Sequence, residues 1–315
     1  MSLSSLPSVS TSSQPSRCLI GALALSALCL GSSACSSRPT IDPGATYIIG
    51  AGDIAYCGVK VATEAPAAST AALVAANPSA AVFTLGDNAY DSGTIDEYQN
   101  CYGPTWGQFV DRTFPTPGNH EYVTPGADGY FSYFGDRAGP SRRGYYSYDI
   151  GTWHFVSLNS NVDAVQGSEQ ETWLRADLTA HRGQRCILAY WHHPVFSSSS
   201  VHGNNPWMAD IWRTLSEFGT DVILTGHDHG YERFAPQRAD ATPDPDRGIR
   251  EFVVGTGGAN LYSFASPQPN SEVRIDTTFG VIRFGLKDGQ YDWFFVPVDA
   301  TAAFDSGQAL CHPKP

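Results

Sequence analysis

The sequence predicts an α/β protein whose β-sheets are covered by helices. Apolar runs of strand length alternate with segments of helical periodicity as far as Leu224, and from Glu251 onward only strand patterns remain. The 315 residues are 42% hydrophobic and 12% aromatic, enough to bury a core, which excludes a disordered chain, a collagen repeat and a disulfide miniprotein.

The elements follow in order. Residues 46–50 form an apolar strand run, 67–76 have helical character with Pro66 suited to the opening turn, and 81–85 form a second strand. A helix is expected within 94–110. Residues 145–150 and 153–158 flank Gly151 and Thr152 and read as a hairpin. Ser168 and Glu171 have the spacing of a capping box, ahead of a helix that places Leu174 and Leu178 on one face. Residues 186–191 give another buried strand. Asn205 and Pro206 then read as the N-cap and first residue of a helix, with Trp207, Ile211, Leu215 and Phe218 at helical spacing and Gly219 as its stop. A strand at 222–224 follows, and strands at 280–286 and 291–298 flank a turn at residues 287–290. Residues 238–250 carry Asp240, Asp244 and Asp246, but prolines interrupt them and no glycine or terminal glutamate stands at the offsets of a calcium loop, so a solvated loop is expected. With no repeat and no linker, one domain over 46–315 is the simplest division.

Asp and Glu (31) outnumber Lys and Arg (19), and the net charge of -12 argues against a nucleic-acid partner held by a broad basic face. Near the N-terminus, Arg17 precedes an apolar run over 18–30 and small residues up to Ala34. That run is short of the roughly 20 residues that span a bilayer, so residues 1–34 read as an export signal and 35–45 as a tether. The segment resembles a bacterial lipoprotein signal cut before Cys35, although Ser32 and Ala34 also suit an ordinary signal peptidase. Removal of Cys18 and Cys29 leaves Cys35, Cys57, Cys101, Cys186 and Cys311, an odd number made even if Cys35 carries lipid. The chain is therefore expected to be exported, either lipid-anchored at the cell envelope or secreted. The other cysteines allow three disulfide connectivities or free thiols. The expected pairing joins Cys57 to Cys101, each just beyond a motif, and Cys186 to Cys311 near the C-terminus.

Metal-binding residue types stand immediately after the apolar strands, where α/β sheets assemble sites. They are Asp53 after Gly52, Asp87 and Tyr90 after Gly86, Asn119, His120 and Glu121 after Gly118, His192 and His193 after Trp191, and His227 and His229 after Gly226. Two carboxylates, an amide, three imidazoles and a phenol suit iron, zinc or manganese. Asp53 and Asp87 packed together would repel without cations, and a carboxylate can bridge two ions.

In this order, and with Gly230, Tyr231, Glu232 and Arg233 closing the last motif, the set resembles the calcineurin-like metallophosphoesterases and, among them, the purple acid phosphatases. The resemblance covers most of residues 47–233. It implies two β-sheets packed as a sandwich flanked by helices, and two metal ions, Fe(III) plus Zn, Mn or Fe(II). Carried over by position, it implies that Asp53, Tyr90 and His229 bind the first metal, that Asn119, His192 and His227 bind the second, and that Asp87 bridges. Tyr90 would be a phenolate on the ferric ion. His120 and His202 would act from outside the coordination sphere, near the phosphate and the leaving oxygen. His193 points elsewhere if its strand is regular. His154, His181 and His312 fall outside the motifs. Ala55 and Ala189 depart from the family pattern at positions that supply no ligand.

The implied activity is an exported binuclear-metal hydrolase of phosphate monoesters acting on a phosphorylated small molecule. Hydroxide formed at the metals attacks phosphorus in line, and His202 or His120 protonates the departing alkoxide. Two other readings use the same residues: a phosphodiesterase acting on cyclic nucleotides or other diesters, and a surface lipoprotein that binds without turnover.

Overall fold

Alternate side chains of the buried strands enter two different cores, which shows how the chain is layered. The computed structural model describes residues 42–58 and 65–314, so the expected signal, Cys35 and most of the tether lie outside the described residues. In chain order the elements are β1 (Thr46–Ala51), β2 (Ala55–Tyr56), α1 (Pro66–Ala75), β3 (Ala81–Thr84), β4 (Ala89–Tyr90), α2 (Ile95–Glu97), β5 (Thr113–Phe114), α3 (Asp128–Phe134), β6 (Tyr146–Ile150), β7 (Trp153–Ser157), α4 (Glu169–Ala180), β8 (Cys186–Tyr190), α5 (Ala209–Glu217), β9 (Val222–Thr225), β10 (Tyr231–Phe234), β11 (Arg250–Val254), β12 (Ser271–Ile275), β13 (Gly280–Lys287), β14 (Gln290–Pro297) and β15 (Ser306–Leu310).

One sheet has the order β15-β14-β13-β1-β3-β5, with β1, β3 and β5 parallel. In it β1 also pairs antiparallel with β13, in a register that sets Thr46 opposite Leu286. The second sheet has the order β12-β10-β11-β9-β8-β7-β6 and is parallel from β11 to β7. On β8, Leu188 and Tyr190 belong to the core between the sheets, while Ile187 and Ala189 pack with Leu174 and Leu178 of α4 and Ile211 and Leu215 of α5. Across the gap Phe252 meets Phe284 at 5.3 Å, Phe83 meets Tyr190 at 6.0 Å and Tyr231 stacks on Phe295 at 4.4 Å. Each such side chain contributes about 1.5–3 kcal/mol by leaving water. The architecture is thus a two-sheet sandwich flanked by helices.

Three local expectations are corrected. Between 94 and 110 the chain forms no single helix: Thr94 and Glu97 build a full capping box for α2, which passes into a π-helical turn (Tyr98–Tyr102) and then a 3-10 stretch (Trp106–Arg112). Pro104 has no N–H to continue the ladder and crowds the preceding turn. At α4 the capping box is half formed. Ser168 Oγ accepts the Glu171 N–H at 3.2 Å, but the Glu171 carboxylate accepts instead from the Gly167 N–H, Thr214 and Arg175. Asn205 makes no cap, and Pro206–Met208 form a 3-10 turn before α5 begins. That turn buries Met208 and Trp212 beside Ile211 and Leu215 and puts Trp207 on the surface.

Both expected disulfides are present, Cys57–Cys101 and Cys186–Cys311. The second is reinforced by Asp221, whose carboxylate accepts from the Ile187 N–H and from Lys314 Nζ, both at 2.8 Å, and from the His312 N–H at 2.5 Å.

His154, outside the motifs, ties the hairpin of β6 and β7 to α4. It is fully buried, with Nδ1 2.7 Å from Asp149 and Nε2 2.8 Å from Asp177, and its ring lies 4.0 Å from that of His181. Burial alone would lower its pKa, but Asp177 and Asp149 outweigh it and hold the imidazole above the usual histidine value of 6.5. A pKa raised by folding stabilises the folded state fully below the unfolded value, and that gain is lost as pH climbs through the folded value. The stability gap between wild type and His154→Gln in urea unfolding is therefore expected to be wider at about pH 6 than at about pH 9. A gap that does not change over this range contradicts the assignment.

Candidate metal centre

The carboxyl ends of the two sheets are joined by backbone hydrogen bonds, and the candidate residues sit on that joint. The Gly52 N–H donates across the joint to Val254 O at 2.9 Å, while within the sheets the Asp53 N–H donates to Gly86 O at 3.0 Å and the Gly226 N–H to His192 O at 2.9 Å. Asp53, Asp87 and His227 hold φ at 60°, 49° and 67°, a region that is unfavourable for residues with a Cβ and that recurs at functional sites. Here it turns each side chain inward as its strand ends. Two glycines permit the crowding. A Cβ on Gly118 would lie 2.1 Å from Asp87 Oδ1, and one on Gly86, whose φ is 84°, would lie 2.6 Å from His192 Nδ1.

The structure brings together Asp53, Asp87, Tyr90, Asn119, His192, His227 and His229. Tyr90 Oη is 2.8 Å from Asp53 Oδ1, 3.2 Å from Asp87 Oδ2 and 3.1 Å from His229 Nε2. His192 Nε2 is 3.0 Å from Asn119 Oδ1 and 3.2 Å from both Asp87 Oδ2 and His227 Nδ1. Asp87 therefore touches two groups, one around Tyr90 and one around His192.

The tautomers of two rings follow from their outer partners. Leu85 O lies 2.7 Å from His192 Nδ1 and Asn260 O lies 2.5 Å from His229 Nδ1. A carbonyl only accepts, so each Nδ1 carries a hydrogen and each Nε2 is turned toward the centre, where a cation can displace its proton and take the lone pair. There Nε2 of His192 faces oxygens of Asp87 and Asn119, and Nε2 of His229 faces Asp53 and the Tyr90 hydroxyl. Among the described residues, no lysine or arginine is hydrogen-bonded or ion-paired to this set. Two cations, one per group with Asp87 between them, fit the donors present.

The centre also perturbs its own proton affinities. Burial disfavours the charged form of Asp87, yet His192 and His120 hold its carboxyl well below the usual range. Burial likewise opposes a charge on His192, but Asp87 pushes its pKa up to about 9. Burial, with Asp53 and Asp87 beside it, raises the Tyr90 phenol well above 10.0, so at neutral pH it gives up its proton to solvent only when a cation takes the proton's place on the oxygen.

His120 and His202 stand at the rim. His120 sets Nδ1 2.6 Å from Asp91 O and its ring 4.5 Å from that of Tyr90, while Nε2 is 3.9 Å from Asp87 Oδ2. The exposed His202 lies on the other side, its ring stacked on His227 at 4.1 Å. His193 is held by Ser160 Oγ at 2.8 Å, with its ring 4.3 Å from His227, at the edge of the centre rather than turned away from it. His154, His181 and His312 lie elsewhere.

Several residues that work here were given no role by the sequence reading. Glu121, at the end of the third motif, is buried and accepts from the N–H groups of Asp87 at 2.9 Å, Asn88 at 2.8 Å and Gly118 at 2.6 Å, and from Tyr98 Oη at 2.9 Å. The signal for it was an acidic residue within an otherwise ligand-rich motif. Glu232 and Glu251, both buried, accept from the backbone of the loop that carries His202, at Ser198 (2.8 Å) and at Val195 (3.2 Å). Tyr262 stacks on His229 at 4.0 Å and 7° from a loop that contains no motif. Glu121→Ala would leave buried N–H groups without acceptors around Asp87. Its metal affinity, measured by competition with a chelator, is expected to fall about 10- to 100-fold, and unchanged affinity contradicts this positioning role.

The sequence profile described as calcineurin-like phosphoesterase matches residues 46–231. Purple acid phosphatase 18 of Arabidopsis thaliana is 28% identical over 152 residues, which are 46% of this chain and 34% of that protein. Purple acid phosphatase 22 of the same plant is 31% identical over 154 residues, 46% of this chain and 35% of that protein. The chain thus spans about a third of the length of these relatives. Among solved structures, the purple acid phosphatase PPD1 from yellow lupin (Lupinus luteus) seeds shares the fold with a TM-score of 0.67 at 19% identity, over 85% of this chain and 54% of that one. GAP50, described as the anchor in the inner membrane complex of Plasmodium, gives 0.66 at 12% identity, over 85% and 90%. By its matched profile, its sandwich and its strand-end motifs, the chain belongs to the calcineurin-like phosphoesterase family.

Proposed function

We propose that the protein is an exported hydrolase of phosphate monoesters that works with two metal ions, Fe(III) and one of Zn, Mn or Fe(II). The observation that carries the reading is the convergence of lone pairs from Asp53, Asp87, Tyr90, Asn119, His192, His227 and His229 on one buried space, with no residue of the set missing. The phenol of Tyr90 among hard carboxylate donors favours a ferric ion in the first group. The purple acid phosphatases among its relatives support the same choice. Bound there, the two cations would supply Lewis-acid polarisation of the phosphoryl group and would acidify water.

The chain's own groups do the rest. Because Asp91 O holds Nδ1 of His120, that ring turns Nε2 toward the centre, where it can hydrogen-bond a phosphoryl oxygen. His202, stacked on His227 and open to solvent, can give a proton to the leaving oxygen and recover one from water. Asp53, Asp87 and Glu121, fixed by backbone N–H groups, keep the floor of the site rigid during turnover. Export is supported by the two disulfides, which persist in oxidising compartments, and the lipid on Cys35 is part of the same proposal. The substrate is a phosphorylated small molecule.

Metal analysis with a visible absorption spectrum tests the centre. About two metals per chain including iron are expected, with a charge-transfer band lost in Tyr90→Phe. A colourless protein holding zinc or manganese, fully active as Tyr90→Phe, overturns the ferric assignment. For the acid role, His202→Ala is expected to slow alkyl phosphates by about 100-fold or more while nitrophenyl phosphate, whose leaving group hardly needs a proton, is much less affected. Equal losses on both esters remove His202 from that role.

A further inference from the structure

Of the seven tryptophans, Trp207 alone is exposed, at 47%, although its spacing with Ile211 and Leu215 predicts a core position. The 3-10 turn at Pro206–Met208 turns the indole outward, and two contacts then hold it still. Its Nε1–H donates to Ser160 O at 3.2 Å, and its ring meets that of His193 edge to face at 5.0 Å. His193 in turn lies 4.3 Å from His227, so the indole stands one imidazole away from a candidate metal ligand. An exposed large aromatic fixed in one orientation at the mouth of a site is an open stacking surface with little conformational entropy left to lose.

The surroundings extend that surface. His202 stacks on His227, and Tyr262 meets His202 at 5.7 Å, so rings line this side of the centre. Val162 and Val165, 36% and 53% exposed, lie on the loop that receives the Trp207 hydrogen bond, and that loop is joined to α5 by the Gln166 N–H and Asp210 at 3.0 Å. Among the described residues no lysine or arginine stacks on the indole, and its ring and Nε1–H meet His193 and Ser160 O. A phosphoryl group held at the centre would therefore direct its ester substituent toward a wall that rewards a flat, uncharged, aromatic body.

We infer that Trp207 is a specificity-determining residue that stacks on the base of a nucleoside monophosphate, making such esters the preferred substrates of the site. The inference rests on the phosphate monoesterase reading and adds to it the class of alcohol released. Stacking between a base and an aromatic side chain is worth roughly ten-fold in binding. The cost of losing it falls on KM, because the ring touches the base and not the reacting atoms.

The test uses the metal-loaded protein with adenosine monophosphate and glycerol phosphate. Wild type is expected to prefer the nucleotide in kcat/KM. Trp207→Ala is expected to lower that preference about ten-fold through KM for the nucleotide, and Trp207→Phe to keep most of it. A preference unchanged in Trp207→Ala, including equal losses on both esters, overturns the inference while leaving the monoesterase reading intact. If wild type turns over neither ester, the monoesterase reading falls, and equilibrium dialysis with adenosine monophosphate decides the stacking claim alone. Weaker binding by Trp207→Ala than by wild type then sustains it, and equal or absent binding overturns it.

Discussion

The Nε2 atoms of His192 and His229 point into a space bounded by oxygens of Asp53, Asp87, Asn119 and Tyr90, because a backbone carbonyl, Leu85 for one ring and Asn260 for the other, holds the hydrogen on the far nitrogen. Carboxylates crowded together out of water are costly, and positive charge in their midst, a proton on His192 or a bound cation, lifts that cost. The rest of the protein can be understood as the means of holding that arrangement against its own repulsion. Every donor stands on a strand end or on a turn that a second strand end braces, so no single side-chain rotation relieves the crowding.

The bracing is mostly backbone to carboxylate. Asp53 accepts the His227 N–H, Asp87 accepts the His120 N–H, and Glu121 gathers N–H groups from both sides of the Asp87 turn. Peptide N–H groups are suited to this work. They neutralise part of the carboxylate charge without bringing a mobile cation of their own, and they are fixed by the strands behind them. The positive φ values at Asp53, Asp87 and His227 belong to the same economy of space, since a straighter exit from each strand would carry the side chain past the centre.

Much of this was legible in the sequence because the informative residues are local to strand ends. A strand run followed by Gly and Asp identifies the turn and the ligand together, and the continuous apolar runs match Thr46–Ala51, Cys186–Tyr190 and Val222–Thr225 closely. What was not legible depends on partners distant in the chain. Nothing in the letters around Glu121 says that its carboxylate meets the backbone of Asp87 and Asn88, and Tyr262 reaches His229 from a loop without pattern. Trp207 misled for a different reason. Helical spacing assumes that the helix starts at its proline, and the tighter turn at Pro206–Met208 rotates the indole off the face its spacing assigns.

The pairing of β1 with β13 sets the order in which the protein can be completed. The strand that leads to Asp53 is made well before one of its two neighbours, which lies about 240 residues later in the sequence, with Thr46 opposite Leu286. Such non-local closure is slow, because the entropy of a long loop is lost before the contacts that repay it have formed. Until β13 emerges, β1 has a bare edge on that side, and a nascent chain stalled after β10 would carry all seven candidate ligands without a finished sheet beneath the first of them. A site that stands on β1 is therefore complete only after β13 has closed the sheet beside it.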